Sequence, residues 1–306
     1  MKRVHLALGL AIFLLSACQG NAVREEIYSD TRPRDIALFL QERTELRTLD
    51  RTIYGNGAII AAISSYRSDK LAEQAREIFD HYLGETIREY DFQGRFREAF
   101  VESTRDSRGI RVGEIAFHPL SDDRTDKRKK PDLPRLDIRV QHHFVESGNA
   151  IKVRLDARFI EEDRRGEPGT RHTQTYIHYS NAVAAGRDGL SVSARRWAEE
   201  GGRIYREEMD AAIENLVRRF RQDWFEAPPV ASDRSSEGRI LSAVLDIWPG
   251  YYAVSVGGTV LSEEGERVWI EKRSITGDRI SFPESLIYKG TAQEVGGGLL
   301  SDGDGE

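Results

Sequence analysis

Two runs of alternating character, LDIRVQHHFV (136–145) and AIKVRLDARFI (150–160), joined by Glu146-Ser147-Gly148-Asn149, constrain the fold of this chain more than any other stretch. Leu136, Ile138, Val140, His142 and Phe144 share one face of the first run, and Ile151, Val153, Leu155, Ala157 and Phe159 share one face of the second. A period of two is what a half-buried strand requires. A two-residue Ser147-Gly148 turn fixes the register. It opposes Val140 with Leu155 and Ile138 with Ala157 inside, and Arg139 with Asp156 and Asp137 with Arg158 outside. Opposite charges across a sheet contribute roughly 0.2–1 kcal/mol each, and a slip of one residue would turn every inner side chain outward.

RRGEPGTR (164–171) turns the chain into a third strand, HTQTYIHYS, completing an antiparallel meander. A long amphipathic helix follows from ARRWAEEGGRIYREEMD onward. Trp197, Ile204, Ala212, Leu216, Phe220 and Trp224 lie on or near one stripe, widened by Ile213 and Val217. The stripe packs most simply on the apolar face of the meander. Gly201-Gly202 is its weak point, because glycine costs about 1 kcal/mol relative to alanine inside a helix. A kink or a close backbone contact is expected there.

Upstream, Leu71, Ala75, Ile78, Phe79 and Tyr82 give a helix over about 67–83, and Phe92, Phe96 and Phe100 give a second, short one. IRVGEIAFHP reads as a strand, LSDDRTDKRKKPDLP as an exposed charged loop, and DIALFLQERTELRTL shows no assignable period. Downstream, APPVASDRSSEG has the composition of a linker. Four short alternating segments follow, separated by Pro249-Gly250, Glu264-Gly265 and Gly277-Asp278. The expected class is α+β: an antiparallel meander packed by amphipathic helices, plus a small C-terminal all-β domain of SH3-like size. Its parts are a body over 35–227, a linker over 228–236, the β-domain over 237–290 and a Gly-rich acidic tail over 291–306.

The N-terminal stretch has the three parts of a secretory signal: Lys2 and Arg3, an apolar run from Leu6 to Leu15, and the small residues Ser16 and Ala17. The apolar run is shorter than the ~20 residues a spanning helix needs. Leu15-Ser16-Ala17-Cys18 resembles the lipobox of bacterial lipoproteins. That resemblance implies cleavage after residue 17, diacylation of the Cys18 thiol and acylation of the new amine, with 18–34 as a polar tether. Two or three acyl chains hold a protein stably at a membrane, where one does so only marginally. Gln19 stands where aspartate usually signals inner-membrane retention in Gram-negative lipoproteins, so the expected address is the periplasmic face of the outer membrane.

Loss of residues 1–17 takes the 45 basic residues to 43 against 51 acidic, a net charge of about −8. Nucleic-acid binders are normally strongly basic, so no nucleic-acid partner is expected. Cys18 is the single cysteine, which excludes an intramolecular disulfide.

The histidines His81, His118, His142, His143, His172 and His178 show no zinc-ligand spacing, and adjacent His142 and His143 point to opposite faces of a strand. His172 and His178 share a face. There is no G-x-S-x-G elbow: GLSVSA at 189–194 lacks the final glycine. Gly55-Asn56-Gly57 lacks the rest of a dinucleotide or phosphate loop. Neither a catalytic set nor a bound cofactor or metal is expected. The basic outer residues Arg139, Lys152, Arg154 and Arg158 read as a solvated face, with attraction to an anionic polymer or headgroup as the alternative.

The order strand, Trp-x3-Gly-Gly, then a long helix ending RRFRQDWF is similar, over about 130–226, to uncharacterised Gram-negative envelope-accessory lipoproteins. What the resemblance implies is a tethered α+β module. The resulting expectation is a membrane-anchored, non-catalytic binding or assembly module with an envelope protein partner. Two alternatives stand beside it: a periplasmic hydrolase using His172, His178 or carboxylates in a cleft between domains, and an auxiliary or substrate-binding subunit of an envelope transporter.

Overall fold

A computed structural model describes residues 34–42, 44–46, 58–105, 112–120, 133–145, 148–162, 166–184, 190–226, 240–245, 252–272, 278–283 and 287–288. The elements are β1 (Arg34–Leu40), β2 (Glu45–Leu46), α1 (Ala58–Glu89), α2 (Phe92–Arg105), β3 (Val112–Pro119), β4 (Arg135–Phe144), β5 (Ile151–Glu162), β6 (Pro168–Tyr179) and α3 (Leu190–Trp224). Five more strands follow: β7 (Ile240–Leu245), β8 (Tyr252–Glu264), β9 (Arg267–Lys272), β10 (Arg279–Pro283) and β11 (Ile287–Tyr288). The mixed sheet runs β11-β7-β8-β9-β10-β6-β5-β4-β1-β3, with β2 beside β4. β1 lies parallel to both β3 and β4, and β10 lies parallel to β6; the other neighbours on the path are antiparallel. Parallel neighbours need long connections, which α1 with α2 supplies between β1 and β3.

The hairpin register is as read from the sequence: Val140 opposes Leu155, Ile138 opposes Ala157, Arg139 opposes Asp156 and Asp137 opposes Arg158. The reversal is longer than two residues. Val145 N–H donates to Ala150 O and Gly148 N–H donates to Val145 O, so the chain turns between residues 145 and 150. Gly148 has φ +68°, and a Cβ on it would lie 2.6 Å from the Phe79 ring. The turn is therefore tucked under the helices, where only glycine fits. β6 completes the meander, with Tyr176 opposite Leu155 and His178 opposite Val153.

One face of this sheet carries the core. Leu38, Ile138, Val140, Val153, Leu155 and Tyr176 pack under Leu83 of α1, Phe96 and Phe100 of α2, and Trp197, Met209, Leu216 and Phe220 of α3. Phe92, Phe96 and Phe100 are all buried, as their spacing of four dictates. Trp224 Nε1 donates to the Tyr176 hydroxyl at 3.0 Å, so its polar tip is satisfied inside.

Several expectations change. α1 extends well beyond 67–83: AIIAAI at 58–63 is apolar all round, which hides the helical period although alanine is the best helix former. Tyr82 is 39% exposed; the buried ridge of α1 is Phe79, Leu83 and Thr86. The stretch without a period contains β1, whose near-continuous ALFL run is typical of a parallel strand. In α3 the stripe includes Tyr205 and Met209, and residues 199–202 leave helical geometry, three of them with positive φ. The break is both a kink and a close contact: a Cβ on Gly202 would lie 2.3 Å from Thr86 Cγ2.

The separate C-terminal β-domain over 237–290 also needs correction. β10 hydrogen-bonds along β6, Trp269 of β9 is buried in the main core, and Arg279 of β10 pairs with Asp223 of α3. The C-terminal strands therefore continue the sheet. A second, smaller cluster of Ile177, Val268, Ile270, Ile280 and Phe282 lies on its other face, with Tyr179 packed against it. β9 and β10 are buried on both faces, and a short run such as Val268-Trp269-Ile270 reads the same whether its strand closes a barrel or extends a sheet. Residues 18–33 and 289–306, and with them most of the expected tether and the acidic tail, lie outside the described residues.

Candidate functional site

The first polar cluster is built where the loop after β1 crosses β4. His142 faces the core and is 1% exposed. Its Nδ1 lies 2.8 Å from Thr44 Oγ1, which in turn lies 2.6 Å from the Tyr205 hydroxyl. Its Nε2 is 3.4 Å from the Gln41 carbonyl, an acceptor, so Nε2 carries the proton. The direction of the chain follows: Tyr205 O–H donates to Thr44 Oγ1, Thr44 O–H donates to His142 Nδ1, and His142 Nε2–H donates to Gln41 O. Burial pushes His142 down to about 4 and Tyr205 up to about 12, so both are neutral. Gln41 locks the arrangement by accepting from His142 N–H at 3.0 Å and donating to His142 O at 3.1 Å. Beside it, Tyr90 donates to Asp210 at 2.6 Å, and Arg95 pairs with the same carboxylate at 3.0 Å. Burial first, then Asp210, raises Tyr90.

The second cluster occupies the joint between β6 and β10. His178 and Ser281 are register partners and both are fully buried. Arg267 Nε donates to Ser281 Oγ at 3.1 Å, and Arg267 Nη2 donates to Tyr179 O. Neither ring nitrogen of His178 has a hydrogen-bond partner. Burial, then the Arg267 guanidinium, holds His178 well below its ordinary value. Arg267 itself is lowered to about 10 by burial, opposed by Glu208. Further along the joint, Arg279 and Asp223 form an ion pair with both side chains 4% exposed, and Arg219 reaches Asp223 at 3.5 Å.

The third feature is the sheet face away from the helices. Lys152, Arg154 and Asp156 are half-buried there, and Arg158 is exposed. Arg135 pairs with Asp137 at 2.9 Å and Arg154 with Asp156 at 2.8 Å, each along its own strand. Thr175 of β6 donates to Asp156 at 2.6 Å. Burial raises the Asp137 carboxyl against the opposing pull of Arg135. Arg139 lies 5.4 Å above Phe39, which stacks on His118 at 5.1 Å, and Lys152 lies 5.6 Å over Tyr179.

The histidines do not converge. His142 and His143 point to opposite faces, His81 meets Tyr82 edge-on, and His172 packs on Trp224. His172 and His178 share the helix-covered face, but six residues of strand separate them by roughly 20 Å. The two rings therefore do not meet at one site, and His178 is fully buried. Ser191 and Ser193 of GLSVSA belong to the first turn of α3. Among the described residues no three His, Cys, Asp or Glu side chains gather as metal ligands. No described helix is long and apolar enough to cross a membrane. Cys18 and Gly55-Asn56-Gly57 lie outside the described residues. The pattern missed Thr44, Tyr205 and Arg267, whose partners are 98, 161 and 14 residues away from them in sequence. No protein-family model, curated protein or solved structure matches the chain.

Proposed function

We propose that this chain is an outer-membrane lipoprotein, anchored through Cys18 on the periplasmic face, whose body is a non-catalytic binding or assembly module for an envelope protein partner. The observation that carries the module reading is the asymmetry of the sheet. Three helices cover one face, while the other presents Arg139, Lys152, Arg154 and Arg158 on a rigid meander with Asp137 and Asp156 between them. Such a face suits a partner with an acidic surface, since complementary charge steers association and fixes orientation. Three of the histidines are engaged within the fold: His142 in its hydrogen bond with Thr44, His118 on Phe39 and His172 on Trp224. The tether reading rests on Leu15-Ser16-Ala17-Cys18 after a charged, apolar leader. Residues 18–33 would let the body stand at most roughly 55 Å from the membrane at full extension.

The test is photo-crosslinking in cells from a reactive residue at Arg158, with Glu207 on α3 as the control position. A defined adduct from 158 that disappears on Arg139→Glu with Arg154→Glu supports the reading. Adducts from 207 alone, or an adduct indifferent to the charge reversal, contradict it.

A further inference from the structure

The C-terminal strands join the body at a narrow joint. Among the described residues, the only strand pairing between them and the rest of the sheet is β10 on β6, through Arg279↔Tyr176, Ile280↔Ile177 and Ser281↔His178. At its third pair stands His178, buried completely and with both ring nitrogens unpartnered. A buried imidazole without partners already costs free energy, and a buried imidazolium without an acceptor costs far more.

The surroundings offer that charge no compensation. β9 supplies Arg267, which is also cationic and is held by Ser281 Oγ and Tyr179 O, and Glu271, whose carboxylate lies 3.9 Å from Arg279 Nη2. β10 supplies Ser281 and, two residues back on the same face, Arg279, whose ion pair is with Asp223. β5 presents Val153 opposite His178, with Lys152 and Arg154 turned to the other face. α3 supplies Glu208, whose carboxylate already accepts from Asn181 N at 3.1 Å and Asn181 Nδ2 at 2.7 Å.

We propose that β9 and β10 form a proton-sensitive flap: with His178 neutral the strand pair is docked on β6, and protonation of His178 favours an undocked form in which the imidazolium reaches water. Undocking breaks three register pairs and the Arg267 contacts, parts Arg279 from Asp223, withdraws Trp269 from the main core and uncovers the edge of β6, while the β4–β5–β6 pairing stays in place. An uncovered edge is a template for another strand. The direction follows from linkage. The undocked histidine takes up a proton near its ordinary value of 6.5 while the docked one does not, so acid raises the undocked population.

Hydrogen exchange on the full chain at pH 7.5 and 5.5, corrected for intrinsic rates, tests this. The opening equilibrium for residues 267–283 is expected to exceed that of residues 151–160 at both pH values. It should rise about tenfold on acidification. In His178→Leu and in His178→Gln that rise should fall below twofold. As a second reading on the wild-type protein, exchange of the His178 ring Cε1–H should follow the 267–283 amides and outpace that of His142. The proposal is overturned if residues 267–283 open only together with 151–160, if the acid response survives in either variant, or if the His178 and His142 rings exchange at one rate.

Discussion

The indole Nε1 of Trp197 donates to the carbonyl of Gly148 at 2.7 Å, in a buried contact that fastens the first arm of α3 to the turn between β4 and β5. Gly148 has a positive φ, and the Phe79 ring fills the space a Cβ would need. Helix, turn and α1 therefore meet at one point of backbone.

Gly148→Ala should destabilise the protein by roughly 2–4 kcal/mol, combining left-handed strain with overpacking against Phe79. Trp197→Phe keeps the aromatic packing and orphans the Gly148 carbonyl, for a loss of roughly 1–3 kcal/mol. Urea unfolding of each variant measures both.

The two glycines of the α3 break should respond differently. Gly201→Ala meets open space and costs about 1–2 kcal/mol for its left-handed backbone alone. Gly202→Ala carries the same strain and in addition drives a methyl into Thr86, so its loss should be clearly larger. Thr86→Ala in the Gly202→Ala background should recover part of the difference, read as a double-mutant cycle in unfolding free energy.

Acid should weaken the fold through His142. Its folded value of about 4 lies below the unfolded 6.5, so the unfolded chain binds the extra proton first. This contribution is fully present above pH 6.5, falls as the pH drops and is gone below about pH 4. It amounts to roughly 3 kcal/mol. His142→Leu should flatten the dependence of unfolding free energy on pH between 6.5 and 4, whatever it does to stability at pH 7.5.

Thr44 stands between two buried groups, whereas Tyr205 ends the chain of hydrogen bonds. Thr44→Val leaves His142 Nδ1 and the Tyr205 hydroxyl without each other's link and should cost roughly 2–5 kcal/mol. Tyr205→Phe leaves Thr44 still donating to His142 and should cost about 1 kcal/mol. Equal losses in chemical denaturation would contradict the assigned direction of the chain.

The meander was legible because its signals agree locally: alternation, a glycine at the turn and opposed charges all specify one register over residues 136–160. The Phe92-Phe96-Phe100 ridge was legible for the same reason, its period and its burial coinciding. β1 was not, since a parallel central strand carries no alternation to read. Placement of β10 beside β6 depends on residues about 100 positions apart, and Arg267, Ser281 and His178 become one cluster only through that pairing. The relay through Thr44 is hidden likewise, a single hydroxyl in a polar stretch whose partners come from β4 and α3. Charge opposition predicted the pairing of strands correctly. It did not foretell that Arg135 and Arg154 would pair along their own strands with Asp137 and Asp156.

Whether the folded module is held at a membrane by Cys18 is read by mass spectrometry of the N-terminal peptide from protein extracted from Gram-negative cell membranes. The expected chain begins at Cys18, with a diacylglyceryl thioether on its sulfur and an acylated amine. A chain that begins elsewhere, or a Cys18 thiol recovered without lipid, would contradict it.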